Sequence, residues 1–476
     1  MQNHTHLTRE IDESPAGPEV AALFDLDRTL IEGFSALTFM REGIRSGLFG
    51  AAQLFDLGMA ATSFQLGTAS FSAFMSGTSR SLQGLTAANF KAFGEKIFDE
   101  NLAARIYPEA RVLVDAHRRR GHTLAVVSSA TSFQVEPVAR SMGIPNIMAT
   151  QLEVRDGRFT GAYIAPACWG EGKAAAGRQL AKEHGCDLSQ SWFYTDSEED
   201  LPLLDIVGQP RPTNPNGRLQ RIAARRGWPS LSFARRSMPT LEEALRTALA
   251  FASLAPSLLL SLPAWWATGE WQRALNLTTS TFGDLATALA GIEVRVEGEE
   301  YLWSRRPAVF IFNHQSGLDV LLVAKLLRRD FVGIGKVELQ ANPLLGPILR
   351  LAGTVFIDRY DRSRAIDALR PAIDALRSGL SLAIAPEGTR SATPDVGPFK
   401  KGAFVMAMQA GVPIVPIVLR NTLDALPRHW MVVRPATIDV RVLPPIETTG
   451  WTYDSLEDHI TEVRQVYIDT LSPTSP

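Results

Sequence analysis

The sequence predicts two α/β domains in one chain, the first with an inserted helical cap. At 476 residues the chain is about three times as long as a typical domain of ~150 residues, so several hydrophobic cores are expected. Short apolar runs alternate with helical patterns from residue 21 to about 217 and again from residue 292. Such alternation is typical of parallel sheets covered by helices. The two halves share no motif, which favours unrelated domains over a duplication.

The first half contains three strand candidates, at residues 21–25, 124–128 and 192–196. We expect the domain to occupy residues 19–235 and its helical cap to occupy about 35–110. Part of that cap is unusually apolar. A second insertion alternates apolar and polar residues around Asp156-Gly157, a dipeptide that favours a hairpin turn.

The segments outside the first domain differ in character. Residues 1–18 are polar and predict a flexible tail, whereas residues 236–290 predict an apolar linker. Within that linker residues 247–269 carry no charge and contain Trp265-Trp266. Three alternatives remain for this stretch: helices lying in a membrane interface, a buried packing helix, or a true membrane span. A second α/β domain is expected over residues 291–476.

Charge and cysteine content exclude several classes of protein. Lys and Arg number 48 against 50 Asp and Glu, so no overall positive field exists to hold nucleic acid. The two cysteines cannot form a disulfide framework, and neither has the spacing of a zinc site. A reducing cytoplasmic location is therefore expected.

A cluster of acidic residues and phosphate donors follows the strands of the first half. Asp25 and Asp27 stand at positions i and i+2 just past the first strand, where one carboxylate can attack phosphorus while the other handles the leaving-group proton. Ser128 ends the second strand and Lys173 opens an Ala-rich helix. The run from Asp196 to Asp200 ends the third strand with acids. Hard carboxylate oxygens of this kind suit Mg²⁺.

In this order the residues resemble the haloacid dehalogenase superfamily, in its phosphoserine-phosphatase-like branch with a Rossmann-like fold. The resemblance implies that Asp25 is the nucleophile that becomes aspartyl-phosphate and that Asp27 is the general acid and then the base. It implies that Ser128 and Lys173 steady the phosphoryl group. It also implies Mg²⁺ on Asp25, the Asp27 backbone carbonyl and Asp196, with Asp200 orienting the metal's surroundings.

One position departs from that family and bears on the substrate. Phosphoserine phosphatases carry a glutamate nine residues after the nucleophile to meet the substrate ammonium, whereas this chain has Phe34 there. A phenyl ring cannot pair with that charge. The departure disfavours phosphoserine and, with the apolar cap, favours a lipidic or amphipathic phosphate ester, although the apolar residues could equally pack the cap itself.

A histidine and an aspartate define the second constellation. His314 follows an apolar strand run, and Asp319 lies near the start of the next helix. The carboxylate can fix the imidazole tautomer and leave the other ring nitrogen free as a base, with no activated serine or cysteine in evidence. Two later strand ends carry arginines, Arg359 and Arg390, which predict a phosphate clamp.

These blocks and a later one, in the order N-H-x₄-D, F-I-x-R, E-G-T-R and V-P-I-x-P, resemble the glycerolipid acyltransferases, close to 1-acylglycerol-3-phosphate acyltransferases. The resemblance implies that His314 is the base and Asp319 its partner. It assigns binding of the acceptor phosphate to Arg359, Glu387, Gly388, Thr389 and Arg390, and acyl-CoA or acyl carrier protein to the role of co-substrate.

Together the two halves predict a bifunctional enzyme of phospholipid metabolism. We expect a Mg²⁺-dependent phosphatase and a lysophosphatidate acyltransferase, acting on a lysophospholipid and an acyl donor at the membrane surface and binding no nucleic acid. A peripheral or monotopic position on the inner face of the cell membrane is expected. The alternatives are that one half alone is catalytic, the other being regulatory, or that the protein is a non-catalytic membrane scaffold.

Overall fold

The computed structural model describes residues 5–48, 50, 53, 58–59, 70–234, 236, 239–341, 346, 349–350, 352–357, 369–428 and 430–471. The chain folds as two compact units that divide between Met238 and Pro239. Each unit has its own sheet and its own buried apolar clusters. The expected class, two α/β domains, is confirmed.

The sheet of the first unit has five parallel strands in the order β3-β2-β1-β6-β7. The first strand, Ala21–Phe24, is buried at every position because helices cover both faces of the sheet, and this explains its uninterrupted apolar run. The strands are β1 Ala21–Phe24, β2 Thr123–Thr131, β3 Asn146–Thr150, β4 Leu152–Arg155, β5 Arg158–Tyr163, β6 Trp192–Thr195 and β7 Gln209–Pro212.

Helices of the first unit both cover this sheet and build the cap inserted between β1 and β2. Their bounds are α1 Thr5–Asp12, α2 Ser35–Arg45, α3 Phe71–Ser81, α4 Ala87–Ile97, α5 Pro108–Arg119, α6 Ser132–Ser141, α7 Glu171–His184, α8 Leu201–Leu204 and α9 Gly217–Arg226. A π-helical turn, Phe98–Leu102, and a 3₁₀ turn, Ala103–Arg105, lead from the cap back to the sheet.

The hairpin β4–β5 is a second part of the cap. Asp156 and Gly157 have φ values of +50° and +73°, the left-handed pair that a tight hairpin turn requires, so the expected turn is present. The ring of Phe159 packs edge-on against Phe90 of the helical insertion, with centroids 5.4 Å apart. Two insertions that are separate in sequence therefore form one cap.

The prediction of a flexible tail is wrong for the described part of the N-terminal segment. Residues Thr5–Asp12 form α1, and Ile11 is fully buried against the first unit's core. Glu10 of the same helix also pairs with the buried guanidinium of Arg211. The sequence looks polar here because a helix this short needs only one apolar side to be held in place.

The second unit has a seven-stranded sheet in the order β11-β10-β12-β9-β13-β14-β8. All its pairs are parallel except β13 with β14. The strands are β8 Ile292–Glu297, β9 Val309–Phe312, β10 Phe331–Lys336, β11 Val355–Ile357, β12 Ser381–Ile384, β13 Ile414–Leu419 and β14 Ala436–Val442. Strand β13 is fully buried in the middle of the sheet, as core strands are.

Helices of the second unit are α10 Leu241–Ala252, α11 Leu254–Thr268, α12 Trp271–Ala290, α13 Tyr301–Ser304, α14 Leu318–Leu327, α15 Arg370–Arg377, α16 Gly402–Ala410, α17 Thr422–Ala425 and α18 Leu456–Leu471. The first two form one apolar rod, Leu241–Thr268, which by length and composition alone could cross a membrane. Less than a third of its most apolar stretch is buried. From Pro239 onward the linker expected over 236–290 thus belongs to the second unit, and helices α10, α11 and α12 occupy most of it.

The packing of α1 leads to a stability prediction. Ile11→Ala removes a buried side chain and should lower the free energy of opening of the first unit by about 2–5 kcal/mol. Native-state hydrogen exchange of amides in β1 and β2 measures this for the first unit alone. Asp12→Ala, which changes an exposed neighbour on the same helix, should alter it by less than about 0.5 kcal/mol. Equal values for the two variants would mean that α1 does not support the core.

Candidate active sites

The first site lies at the carboxyl end of strands β1, β2 and β6. Asp25 directly follows β1 and is only 6 % exposed, and its backbone N–H donates to the carbonyl of Tyr194 in β6 at 2.9 Å. Ser128 lies near the same edge, since Val126 of β2 pairs with Phe24 of β1. Its hydroxyl is buried. The register of three parallel strands therefore brings these side chains to one edge.

Lys173 neutralises two carboxylates of this site. Its Nζ lies 2.9 Å from Oδ1 of Asp25 and 2.7 Å from Oδ2 of Asp200, and all three side chains are buried. Burial by itself would lower the pKa of Lys173, but the attraction of Asp200 and Asp25 outweighs burial and raises that pKa above its usual value. Lys173 is thus a permanent cation beside the candidate nucleophile.

Asp27 differs from Asp25 in its surroundings. Its Oδ1 accepts the backbone N–H of Ser35 at 2.8 Å, and its Oδ2 accepts the Ser35 hydroxyl at 3.2 Å. Ser35 in turn accepts a hydrogen bond from Gln134 at 3.3 Å. Burial raises the pKa of Asp27 to about 7, although the Ser35 hydrogen bonds oppose the rise. A carboxyl group in this range can exchange a proton near neutral pH, as an acid and base must.

Asp196 and Arg28 are two further charged residues of the first site. Burial and the nearby carboxylate of Asp25 raise the pKa of Asp196 to about 8. The Arg28 guanidinium lies 3.0 Å from Oδ2 of Asp196. Four carboxylates, those of Asp25, Asp27, Asp196 and Asp200, face the two cations Lys173 and Arg28, so the fully ionised cluster has a formal charge of −2.

That charge and the all-oxygen donor set fit one divalent metal ion such as Mg²⁺. In the described part of the chain, no group of three or more His, Cys, Asp or Glu side chains is arranged as a complete metal cage. Mg²⁺ does not require such a cage, because the ion keeps several of its water ligands and binds through one or two carboxylates. The Asp25 and Asp196 carboxylates are two buried oxygen donors of the kind that could hold such an ion.

Sequence reasoning missed Arg28 and Ser35. Arg28 lies inside the D-x-D-x-T run and could have been noticed as a cation between acids. Ser35 could not, because its contact with Asp27 depends on how the cap helix α2 begins.

The second site is centred on His314, which follows β9. Its Nδ1 lies 2.9 Å from Oδ2 of Asp319, which is fully buried at the start of α14. The same oxygen accepts the backbone N–H groups of Gln315 and Ser316 at 2.7 and 2.8 Å. Three donors converge on one carboxylate oxygen, which fixes both the carboxylate and the imidazole plane. The spacing of the two residues therefore produces the expected dyad geometry.

The contacts of Glu387 differ from those expected. It was expected to contact the acceptor phosphate, but its two carboxylate oxygens accept the backbone N–H groups of His314 at 2.7 Å and Gly397 at 2.8 Å. Burial raises its pKa. An anion cannot attract a phosphate, so the geometry favours Glu387 as the residue that holds the His314 loop.

Of the two arginines expected to bind the acceptor phosphate, the structure describes only Arg390. Arg359 lies outside the described residues, as does Asp358 beside it. Arg390 is half-buried, and its Nη1 would lie 3.8 Å from a Cβ added to Gly317 in the catalytic loop. Burial lowers the pKa of Arg390, and the neighbouring cation Arg428 lowers it further. Arg428, which the motif reading missed, is therefore a second positive group beside Arg390.

The remaining residues of the block shape its turn. Gly388 has φ +76°, a conformation that glycine adopts without strain, and Thr389 is exposed. Ser391 ties the turn to the dyad, because its backbone N–H donates to the His314 carbonyl at 2.7 Å.

Two family models match the two units. The model described as haloacid dehalogenase-like hydrolase matches residues 22–205, and the acyltransferase model matches residues 293–420. The chain therefore belongs to both enzyme families, with a phosphatase-type domain followed by an acyltransferase domain.

Individual relatives support each assignment. A 1-acyl-sn-glycerol-3-phosphate acyltransferase of Limnanthes alba is 36 % identical over 197 residues, 41 % of this chain and 69 % of the relative. A probable phosphatase of Mycobacterium tuberculosis is 34 % identical over 218 residues, covering 45 % of this chain and 76 % of the relative. A histidinol-phosphatase of Neisseria meningitidis is 35 % identical over 217 residues, covering 44 % of this chain and 98 % of the relative.

The position of Glu387 leads to a kinetic prediction. Glu387→Gln replaces an acceptor with an amide N–H₂ that faces a backbone donor, so we expect a loss of stability of about 1–3 kcal/mol. Acyl transfer should fall at least tenfold in kcat with little change in the KM for the acceptor, because the variant disturbs the His314 loop. Glu447→Gln, at an exposed ion pair with Arg305, is the control. A rise in KM alone would instead place Glu387 against the substrate.

Proposed function

We propose that the chain is a bifunctional enzyme of phospholipid metabolism. Its second unit transfers an acyl group from acyl-CoA, or from acyl carrier protein, to 1-acyl-sn-glycerol 3-phosphate and forms phosphatidate. Its first unit hydrolyses a phosphomonoester with the help of Mg²⁺. The observation that carries the proposal is the His314–Asp319 dyad, at 2.9 Å, in the same chain as the buried Asp25–Lys173 pair.

Acyl transfer follows from the geometry of the dyad. Because Nδ1 of His314 is committed to Asp319, Nε2 is the ring nitrogen that takes the proton of the acceptor hydroxyl. The acceptor oxygen then attacks the thioester carbonyl, the new C–O bond forms, the C–S bond breaks and the thiolate leaves to be protonated. Asp319 stabilises the imidazolium. Arg390 and Arg428 supply positive charge for the acceptor phosphate, and Arg359 is proposed to add to it.

Phosphate hydrolysis uses the two aspartates in different roles. A carboxylate oxygen of Asp25 attacks phosphorus, and Asp27 donates its proton to the leaving alcohol oxygen. Asp27 then takes a proton from the water that attacks the aspartyl-phosphate, which releases phosphate and restores Asp25. Lys173 and Ser128 hold the phosphoryl oxygens. Bound Mg²⁺, held by Asp25, the Asp27 carbonyl and Asp196 with Asp200 behind them, would offset the charge on those oxygens.

The cap bears on which phosphate ester is used. Phe34, at the start of α2, is 49 % exposed and adjoins Ser35, which contacts Asp27. A phenyl ring adjacent in sequence to the residue that contacts the general acid has no charge to pair with an ammonium group, so we favour an amphipathic phosphate ester over phosphoserine. Histidinol phosphate is the second candidate, because the histidinol-phosphatase of Neisseria meningitidis matches along 98 % of its length.

Membrane association is part of the proposal. The rod Leu241–Thr268 exposes large apolar side chains, namely Leu241, Leu245, Leu249, Phe251, Leu259, Leu260, Leu262, Trp265 and Trp266. So much exposed apolar surface is rare on a protein surrounded only by water. We place this rod in the interface of the cytoplasmic leaflet, with Trp266 at the headgroup level.

The two activities should be separable by substitution. Asp25→Asn removes the nucleophile and should lower phosphate release at least 10³-fold while acyl transfer stays within twofold of the parent. His314→Ala should do the reverse, since the general base is lost. Parallel assays of the full chain with acyl-CoA plus lysophosphatidate and with phosphate esters measure both. Loss of both activities in either variant, or absence of one activity in the parent, would contradict two independent sites.

A panel of phosphate esters extends the same assay. It should contain phosphatidate, lysophosphatidate, histidinol phosphate and phosphoserine, each tested with the parent chain and with Asp25→Asn as the blank. The amphipathic esters should give the highest kcat/KM. Preference for histidinol phosphate would favour the second candidate, and preference for phosphoserine would contradict the argument from Phe34.

The exposed rod leads to a membrane-binding prediction. Trp266 is 89 % exposed, and Trp266→Glu places a charge where apolar contact is expected, so co-sedimentation with anionic lipid vesicles should fall at least fivefold. Met431→Glu, at an exposed apolar residue elsewhere in the second unit, is the control. Equal loss in both variants would contradict a specific role for the rod. Resistance of the parent to extraction at pH 11 would instead favour a membrane span.

A further inference from the structure

Arg28 directly follows Asp27 and has an unusual backbone conformation. Its φ is +58°, which is uncommon for a residue with a side chain. The Arg28 carbonyl accepts the side-chain N–H of Asn214 at 2.8 Å, and its guanidinium donates to the Asn214 carbonyl at 3.4 Å. Asn214 itself has φ +48°. Two strained residues that hold each other at a functional edge indicate a constrained role for the side chain.

Asn214 is in turn anchored from outside the acidic edge. Its side-chain oxygen accepts the backbone N–H of Phe233 at 2.7 Å, and its own backbone N–H donates to the Leu231 carbonyl at 2.8 Å. Arg28 is therefore positioned by a chain of hydrogen bonds that does not depend on the carboxylates.

The guanidinium so placed contacts a carboxylate that the Mg²⁺ proposal requires. Arg28 lies 3.0 Å from Asp196, whose side chain is almost fully buried, while about a third of the Arg28 side chain remains exposed. The Lys173 ammonium forms its ion pairs with Asp25 and Asp200 and not with Asp196. Among the described residues Arg28 is thus the cation that forms an ion pair with Asp196, and its exposed side leaves it room to move away.

We propose that Arg28 is an internal counter-cation of the metal site, which pairs with Asp196 when the metal is absent and releases it when Mg²⁺ binds. The proposal rests on the proposed Mg²⁺ site. Because a guanidinium and Mg²⁺ compete for one carboxylate and repel each other, Arg28 lowers the affinity for Mg²⁺. In return it offsets the charge of the buried Asp196 carboxylate when no metal is bound. Arg28 is a positioning residue by this account.

Direct measurement of Mg²⁺ binding tests the proposal. The full-length chain is stripped with EDTA, exchanged into metal-free buffer and titrated with MgCl₂ alone in a calorimeter. Arg28→Gln keeps a polar side chain but removes the charge, and should bind Mg²⁺ about tenfold more tightly than the parent. Arg28→Lys keeps the charge, and its affinity for Mg²⁺ should stay within about threefold of the parent's. The control Arg218→Gln, at an exposed pair with Glu198, should leave the affinity unchanged.

A second measurement concerns the metal-free protein. Arg28→Gln should lower its melting temperature in EDTA and should gain a larger upward shift from saturating Mg²⁺ than the parent does. If Arg28→Gln is not folded, Asn214→Ala, which removes the side-chain hydrogen bond that holds the Arg28 carbonyl, should loosen the Arg28–Asp196 pair and tighten Mg²⁺ binding in the same direction.

The outcomes separate this proposal from the one it rests on. Mg²⁺ affinity that is unchanged or weaker in folded Arg28→Gln, while the parent binds Mg²⁺, would overturn the role of Arg28 alone. An unchanged Mg²⁺ affinity with a higher KM for the phosphate ester would do the same and would place Arg28 on the substrate. A parent chain that binds no Mg²⁺ would instead overturn the metal site itself.

Discussion

The cost of burying a carboxylate is the constraint on which both active sites depend. A carboxylate removed from water must be paired or hydrogen-bonded, or it becomes protonated. The two units satisfy this requirement differently. In the phosphatase unit, Lys173 lies between Asp25 and Asp200, and Asp27 is left with a pKa raised to about 7. In the acyltransferase unit the backbone supplies most of the donors.

That difference suits the two chemistries. Oδ2 of Asp319 accepts two backbone N–H groups besides the imidazole, and Glu387 accepts two more from neighbouring loops. Backbone donors carry no net charge and do not lose their protons, so they hold the two carboxylates without adding a side-chain cation. The first site relies on the side-chain cations Lys173 and Arg28 instead, which suits the metal ion and the phosphate ester proposed for it.

Much of this architecture could be predicted because it depends on short-range spacing. The i, i+2 aspartates of the first site and the His314–Asp319 spacing of the second each lie within one strand-to-helix turn, and the parallel register then brings strand ends together. The Asp156-Gly157 turn was equally local. In each case the chain itself sets the geometry.

The parts that could not be predicted depend on contacts between distant residues. Ser35 reaches Asp27 only because the cap helix begins there, and the hairpin β4–β5 joins the cap only through packing such as that of Phe159 on Phe90. Glu387 carries the family motif, yet its role follows from which backbone groups lie opposite it. The helix α1 was missed because one buried side chain, Ile11, does not make a visible pattern.

The segment after α9 has a consequence for dividing the protein into its parts. The match to the hydrolase family model ends at residue 205, but residues beyond it still pack on the first unit. The Phe233 ring packs on Tyr107, and the backbone N–H of Arg236 donates to Glu32. A phosphatase cut at the limit of its similarity would lose these partners and strand β7. An autonomous first enzyme therefore extends at least to Arg236, so the connection between the two enzymes begins as part of the first one.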